Sequence, residues 1–463
     1  MSPNNNQQSV HTASICSFTQ FKRITVIVIL GTNSLFAQAA DLIEVYRLAQ
    51  TNDPTFDSAR YALQAAEQKL PQARAGLLPV ININGNDNAN HASTEYSAAT
   101  STTQVKRSTQ SWAWNLQLTQ PLFRLQNYVA YQQSEYLVAQ AHALYTQAEQ
   151  DLILRLTQAY FDVLVADETI AVAESQMNAA TEQMGQAQAG FEHGTNAITD
   201  VHEAKARIDL ARAQKLAALN DLEAKRAELE KIVGEAPEAL ASLKETEIIP
   251  KPQPEDVNAW IDQARINNPA VLAPEAVVKA SESEVNRNRA EYLPTVDIVA
   301  SYGQNYTSNN LTLPSDYSTN ATTSSAGVQV TVPLFAGGST NSKVIEAIAN
   351  KNKAQAQLET AKRQAATDAR QAYSGIINGL AQIEALESAV DSSAIAVEGN
   401  KQGYKYGIHI NIDILNAQRQ LYSAKRDLIK ARYDTLIQGL KLKAAVGTLG
   451  EADLNSINQL LIK

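Results

Sequence analysis

Few residues in this 463-residue chain are spaced for catalysis. Val201-His202-Glu203-Ala204 holds the His-Glu pair that opens a zinc-protease helix, but the second histidine of such a helix is missing. There is no glycine-rich phosphate loop, and the six histidines are scattered along the chain. The single cysteine, Cys16, precedes an apolar run near the start, so the mature chain is expected to carry no disulfide and no thiol chemistry. An enzyme is therefore not expected, nor a metal or cofactor. Two carboxylates stand out by position, because Asp200 and Asp413 each follow a glycine-bearing turn, at 190–196 and 402–407. On one reading they only favour helix N-termini, where a carboxylate is stabilised by about 0.3–1 kcal/mol.

The elements that carry these residues follow from a junction that occurs twice. In Trp112-Ala113-Trp114-Asn115-Leu116-Gln117-Leu118-Thr119 the bulky apolar side chains fall on every second residue, Pro121-Leu122-Phe123 intervenes, and no proline follows until Pro237. Val328-Gln329-Val330-Thr331-Val332 runs into Pro333-Leu334-Phe335 in the same way, and no proline follows it. Alternation specifies a strand with one apolar and one polar face, whereas a long proline-free run rich in Ala, Gln, Glu and Lys specifies helix. Each junction therefore joins a strand to a very long helix; residues 124–190 as one helix would extend about 100 Å. Trp112 and Trp114 fall at the loop end of the apolar face, with Phe123 and Phe335 at the helix end, where an aromatic membrane girdle would lie. The same pattern also suits a half-buried soluble sheet with surface tryptophans.

The junctions belong to an internal duplication. Residues 42–85 match 257–300 without a gap, with Pro54 and Pro269, and Pro79 and Pro294, each 215 residues apart. The offset is 212 at the Pro-Leu-Phe junctions and 213 from Tyr160 and Tyr373 through Gly194 and Gly407, Asp200 and Asp413, and Gly234 and Gly447. Each unit reads helix, strand, polar loop, strand, long helix, tight turn, helix. The expected division is a leader at 1–39, a first repeat at 40–240, a Pro-rich and extended connector at 241–256, a second repeat at 257–453 and a tail at 454–463. Strands are expected at about 79–86 and 111–120, and at about 294–303 and 326–332. The first helical region should break near Pro54 and again at Pro71. The Ser/Thr/Asn-rich stretches 87–110 and 304–325 read as solvated, mobile loops. Leu156, Ala159, Val163, Ala166, Ile170 and Ala173 follow the three-four spacing of a coiled-coil seam, which recurs 213 residues later.

Composition narrows the class. Aromatics at 6% with alanine-rich, proline-poor stretches suit elongated helical packing. Lys22-Arg23, the apolar run 24–30 and Ala37-Gln38-Ala39 read as a signal peptide with a long polar leader, the run being far short of the roughly 20 residues that span a bilayer. The alternative is an N-terminal anchor. The formal charge is −9, and loss of Lys22 and Arg23 leaves 37 basic against 48 acidic residues, or −11, which does not favour nucleic acid. No later segment approaches 18 uninterrupted apolar residues, so membrane entry would need a closed β-barrel. Four strands cannot close one, because such barrels begin at about eight strands, and symmetric assembly is implied. A coiled-coil scaffold or surface adhesin without a channel is the competing reading, and it leaves four symmetrically placed amphipathic strands unexplained.

Over essentially the whole mature chain these residues resemble the TolC family of outer-membrane efflux and secretion ducts. The carriers are the duplicated unit, Leu78-Pro79 and Leu293-Pro294, Gln120-Pro121-Leu122-Phe123 and Val332-Pro333-Leu334-Phe335, and the turn motifs around Gly194 and Gly407. The resemblance implies a mainly α homotrimer with a 12-stranded outer-membrane β-barrel, four strands per chain, continued by a periplasmic α-helical coiled-coil tunnel in a Gram-negative bacterium. It implies an exit duct for tripartite drug efflux, type I protein secretion or both. Its partners would be outer-membrane lipid, a periplasmic adaptor docking at the tip turns with Gly194 and Gly407, and an inner-membrane pump or ABC exporter. It also implies a periplasmic gate, with Asp413 and Asn416 as the ring and Thr199, Asp200, Tyr404 and His409 as inter-helix latch residues. Where the family typically has arginine the chain has His409, and where a second aspartate is typical it has Asn416. Histidine has a reference pKa of about 6.5 and lacks the two-pronged grip of arginine, so a weaker, pH-sensitive latch between His409 and Asp200 is expected.

Overall fold

The computed structural model describes residues 40–461 apart from 236, 238, 245–248 and 310–316. The leader and its cleavage site lie outside the described residues. Each repeat opens with two helices separated by a polar cap and a proline. In the first, α1 (Leu42–Asn52) is capped by Asp41, and α2 (Pro54–Glu67) by Asp53, whose carboxylate accepts from the Thr55 and Phe56 amides at 3.2 Å. In the second, α6 (Val257–Asn267) and α7 (Pro269–Ala290) are capped by Asp256 and Asn268. Pro54 and Pro269 thus begin helices, since a proline at the first helical position loses no hydrogen bond. The break expected at Pro71 lies instead at Gln68, and Pro71 sits in the first turn of α3 (Lys69–Ala75), where proline is tolerated.

The element order places strands β1 (Val80–Ala98) and β2 (Ser101–Phe123) before α4 (Leu125–Glu192) and α5 (Ile198–Val233). Strands β3 (Thr295–Thr307) and β4 (Thr319–Thr331) precede α8 (Ser339–Lys405), α9 (Asn411–Ala445) and α10 (Glu451–Asn458). The four strands form one antiparallel meander in the order β1-β2-β3-β4, so the second strand of one repeat pairs with the first strand of the other.

The strands are longer than their apolar alternation. Residues 87–110, read as a mobile loop, are largely the outer half of the β1–β2 hairpin, paired in unbroken register as far as Ala98 and Ser101. Both faces are polar there, so no hydrophobic period marks the strand, while the ladder still satisfies the backbone. The second hairpin ends sooner, at the Thr307–Thr319 pair.

The register merges the apolar faces of the four strands. Ile81 lies opposite Leu118, Leu118 opposite Ala300 and Ala300 opposite Ala326; one step along, Ile83, Leu116 and Tyr302 align likewise. Ile298 and Val328, then Val296 and Val330, continue the same face toward the helices. The opposite face presents Asn82, Gln117, Ser301 and Ser325 in one row and Asn84, Asn115, Gly303 and Thr323 in the next. A one-residue slip at any pairing would break this division.

The two junctions differ. At the first, β2 runs through Pro121 with a register irregularity before Phe123, and the helix starts two residues later. Arg124 there clasps Asp297 of β3 with two bonds of 2.8 and 2.7 Å, while Gln126 and Asn127 reach the Ala290 and Gly76 carbonyls. At the second, residues 332–338 form a coil that includes Gly337 and Gly338, both with positive φ, before α8 begins.

The main core gathers Leu152, Leu156, Tyr160 and Phe161 of α4 with Tyr433, Ile437 and Leu440 of α9, and with α1 and α10. The connector is strapped to it: Tyr160 Oη donates to the Ala40 and Ala241 carbonyls at 3.0 and 2.9 Å. Tyr433 Oη accepts from the Leu243 amide at 3.3 Å and bonds Glu168 at 2.9 Å. Burial pushes both phenols well above their ordinary range, so they remain protonated donors. The connector is therefore a structural strap here rather than only an extended spacer. The expected tail at 454–463 likewise begins inside α10, and Leu454 and Leu461 are core residues. Among the described residues no helix is long and apolar enough to cross a membrane.

Candidate functional site: helical tips and apolar sheet face

The tips form where each long helix reverses. Gly194 and Gly407 take the left-handed conformation, with φ of 75° and 72°, so that the Thr195 and Ile408 amides each fold back 2.8 Å from the carbonyls of Gly190 and Gly403. These last two glycines admit the next polar side chain. A Cβ on Gly190 would come within 2.6 Å of the Asn196 amide carbon, and one on Gly403 within 2.2 Å of the His409 ring. Asn196 and His409 are thus equivalent residues of the two repeats, each tucked against its own helix.

His409 does not meet Asp200 within the chain. Its Nδ1 lies 3.2 Å from Asp413 Oδ2, and the same oxygen accepts from the Ile410 amide at 3.3 Å. Asp413 thereby closes the first turn of its own helix, the geometry a helix-starting carboxylate prefers. Within the chain the four-residue spacing sets His409 and Asp413 side by side, while the carbonyl of Asp200 is met by another residue. That residue is Asn411, fully buried, whose Nδ2 donates to Asp200 O at 3.2 Å and whose Oδ1 accepts from buried Gln183 of α4 at 2.5 Å. Tyr404 Oη accepts from Asn196 Nδ2, which also joins the two helical hairpins. Asn416 accepts from Arg207 Nη2 of α5 at 3.2 Å, and Thr199 is exposed at the start of α5.

Of the expected tip residues, the structure therefore ties Tyr404 and Asn416, and the backbone of Asp200, across the hairpins; His409 and Asp413 bond each other. Sequence reasoning missed Asn411, Gln183, Asn196 and Arg207. Asn411 reads as an ordinary helix-starting polar residue, and Gln183 is one glutamine among many in α4, so only the fold brings them together.

On the sheet, Trp112 stacks on Tyr306 with ring centroids 5.8 Å apart, and Trp114 meets Tyr302 at 5.6 Å. Both tryptophans lie mid-strand rather than at a loop end, because β2 continues eleven residues beyond Trp112 to Ser101. From Trp112 to Phe123 the strand covers about 37 Å, or about 26 Å along a membrane normal at a 45° tilt, close to the ~25 Å apolar band of an outer-membrane barrel. The face between them is uncovered in the chain: Ile83 is 70% exposed, Val328 64%, and Phe335 beyond the second junction 90%.

A large exposed apolar face on a sheet whose other face is polar, set on helices of 68 and 67 residues, is the geometry that comparison with known proteins can test. The profile of the outer membrane efflux protein family matches residues 45–235 and 260–448, one stretch in each repeat. The chain belongs to this family. Among relatives, the alkaline protease secretion protein AprF of Pseudomonas aeruginosa is 31% identical over 91% of this chain and 87% of its own. The outer membrane protein TolC of Vibrio cholerae is 31% identical over 93% and 95%, and TolC of Escherichia coli K12 is 31% identical over 94% and 87%. The fold matches the solved outer membrane protein VceC of Vibrio cholerae with a TM-score of 0.73 over 88% of this chain and 96% of that one, at 19% identity. The family's duplication is thus the same one that the offsets mark, and its fold is the meander on paired long helices described above.

Proposed function

We propose that three copies of the chain assemble into a channel-tunnel in the outer membrane of a Gram-negative bacterium. It serves as the exit duct for drug efflux, type I protein secretion or both. The observation that carries this reading is the register, which gathers the apolar side chains of four strands onto one exposed face and leaves a polar face to line water. Four strands leave two open edges, and three copies supply the twelve strands of a closed barrel. Relatives named for protease secretion and for efflux support the same use.

The helices continue the duct into the periplasm, and their tips form its gate. Asp413 and Asn416 are the ring residues and Thr199, Asp200, Tyr404 and His409 the latch residues, with Asn411 bridging α9 to α4 and α5. A periplasmic adaptor docks at the turns of Gly194 and Gly407 and links the duct to an inner-membrane pump or ABC exporter. Trp112, Trp114, Phe123 and Phe335 mark the two lipid boundaries. A scaffold or adhesin gives the exposed apolar face no solvent.

Fractionation tests the reading. The protein should be recovered from outer membranes in detergent as a trimer that dissociates on heating. A monomer soluble without detergent would contradict it.

A further inference from the structure

One seam of the assembly is already present inside each chain. Helix α7 packs against α8 of its own repeat and α4 of the other, whereas its first-repeat counterparts α2 and α3 pack against α4 and leave the corresponding second side open. In the filled seam, Gln133 Nε2 of α4 donates to Glu284 Oε2 of α7 at 3.0 Å. The gapless offset of 215 carries Glu284 onto Lys69 of α3, and the offset of 213 carries Gln133 onto Glu346 of α8. Burial anchors the second correspondence along the helix, because Ser134 and Ala347, Leu156 and Ala369, and Val163 and Ile376 are buried in pairs. Lys69 and Glu346 are both exposed, and among the described residues neither makes an ion pair within the chain.

We propose that the seam between protomers copies the seam between repeats and sets Lys69 of one copy against Glu346 of the next. This rests on the trimer proposed above. A neutral amide faces a carboxylate in the filled seam; the copied seam holds opposite charges, which favours this register over neighbouring ones. The strands agree. The pairs Leu118–Ala300 and Leu116–Tyr302 between β2 and β3 become Val330–Gly85 and Val328–Asp87 between β4 and a second copy's β1. Gly85 and Asp87 lie on the same side of the sheet as their β2 partners Trp114 and Trp112, and Val330 and Val328 lie on that side of β4, so the joint keeps the two sides of the sheet distinct, and a slip of one would exchange them.

Charge reversal tests the pair. Lys69→Glu or Glu346→Lys alone sets like charges together at three seams and should raise the monomer fraction of the purified detergent-solubilised protein severalfold on mild heating. The double reversal should return it to within about twofold of the native value. As an independent readout, a short bis-maleimide should link Lys69→Cys/Glu346→Cys chains into dimers and trimers and leave either single-cysteine variant unlinked. A stable trimer in which the reversals act additively and the cysteines do not link overturns the pair while the trimer stands. A native protein that is monomeric overturns both.

Discussion

Asn411 carries the least visible role at the tip. Its buried amide satisfies Gln183 on one side and the Asp200 carbonyl on the other, so it joins α9 to both helices of the first hairpin. Asn411→Ala would leave the buried Gln183 amide without its acceptor and remove the link to α5, at a cost of about 1–3 kcal/mol. The variant should conduct more ions than the native protein in planar bilayers and show faster proteolysis at the tip turns; unchanged current and cleavage would remove Asn411 from the latch. Asp413 is different, because its carboxylate is 41% exposed and shared between His409 and its own helix start. Three copies near a symmetry axis would attract cations, so Asp413→Asn should weaken block of the current by a trivalent cation at least several-fold.

Among elements, the turns and caps are the most exacting. Gly447 ends α9 with a φ of 75°, and a Cβ there would lie 2.3 Å from the Asn267 carbonyl oxygen, at the boundary between α6 and α7. Gly447→Ala should therefore lower stability by about 1–3 kcal/mol, whereas Gly439→Ala, inside α9 with open space at its Cβ, should gain up to about 1 kcal/mol of helix propensity. Thermal unfolding of the two variants measures the contrast. The elements themselves were legible in proportion to how strongly water patterns them. The proline-plus-cap starts at Pro54 and Pro269, the long helices and the coiled-coil seam announce themselves through fixed turn chemistry and a sustained apolar period. The outer half of the β1–β2 hairpin did not, because a strand with water on both faces has no alternation to read. Helix α10 was hidden by its length of eight residues, and the amide bridge of Asn411 by joining residues 228 apart in the chain.

For the whole molecule, the duplication does two jobs. It gives one chain four strands whose middle pairing, β2 with β3, joins the repeats, and it leaves at the chain's edges the two surfaces that pairing would use again. The apolar face that results is fixed by register across all four strands, so it belongs to the sheet rather than to any one segment. The most direct test is ion current through a planar lipid bilayer after addition of the purified, detergent-solubilised protein. Uniform, discrete current steps are predicted, with larger steps from Asn411→Ala. Protein that inserts into the bilayer and passes no current in either form would contradict the channel.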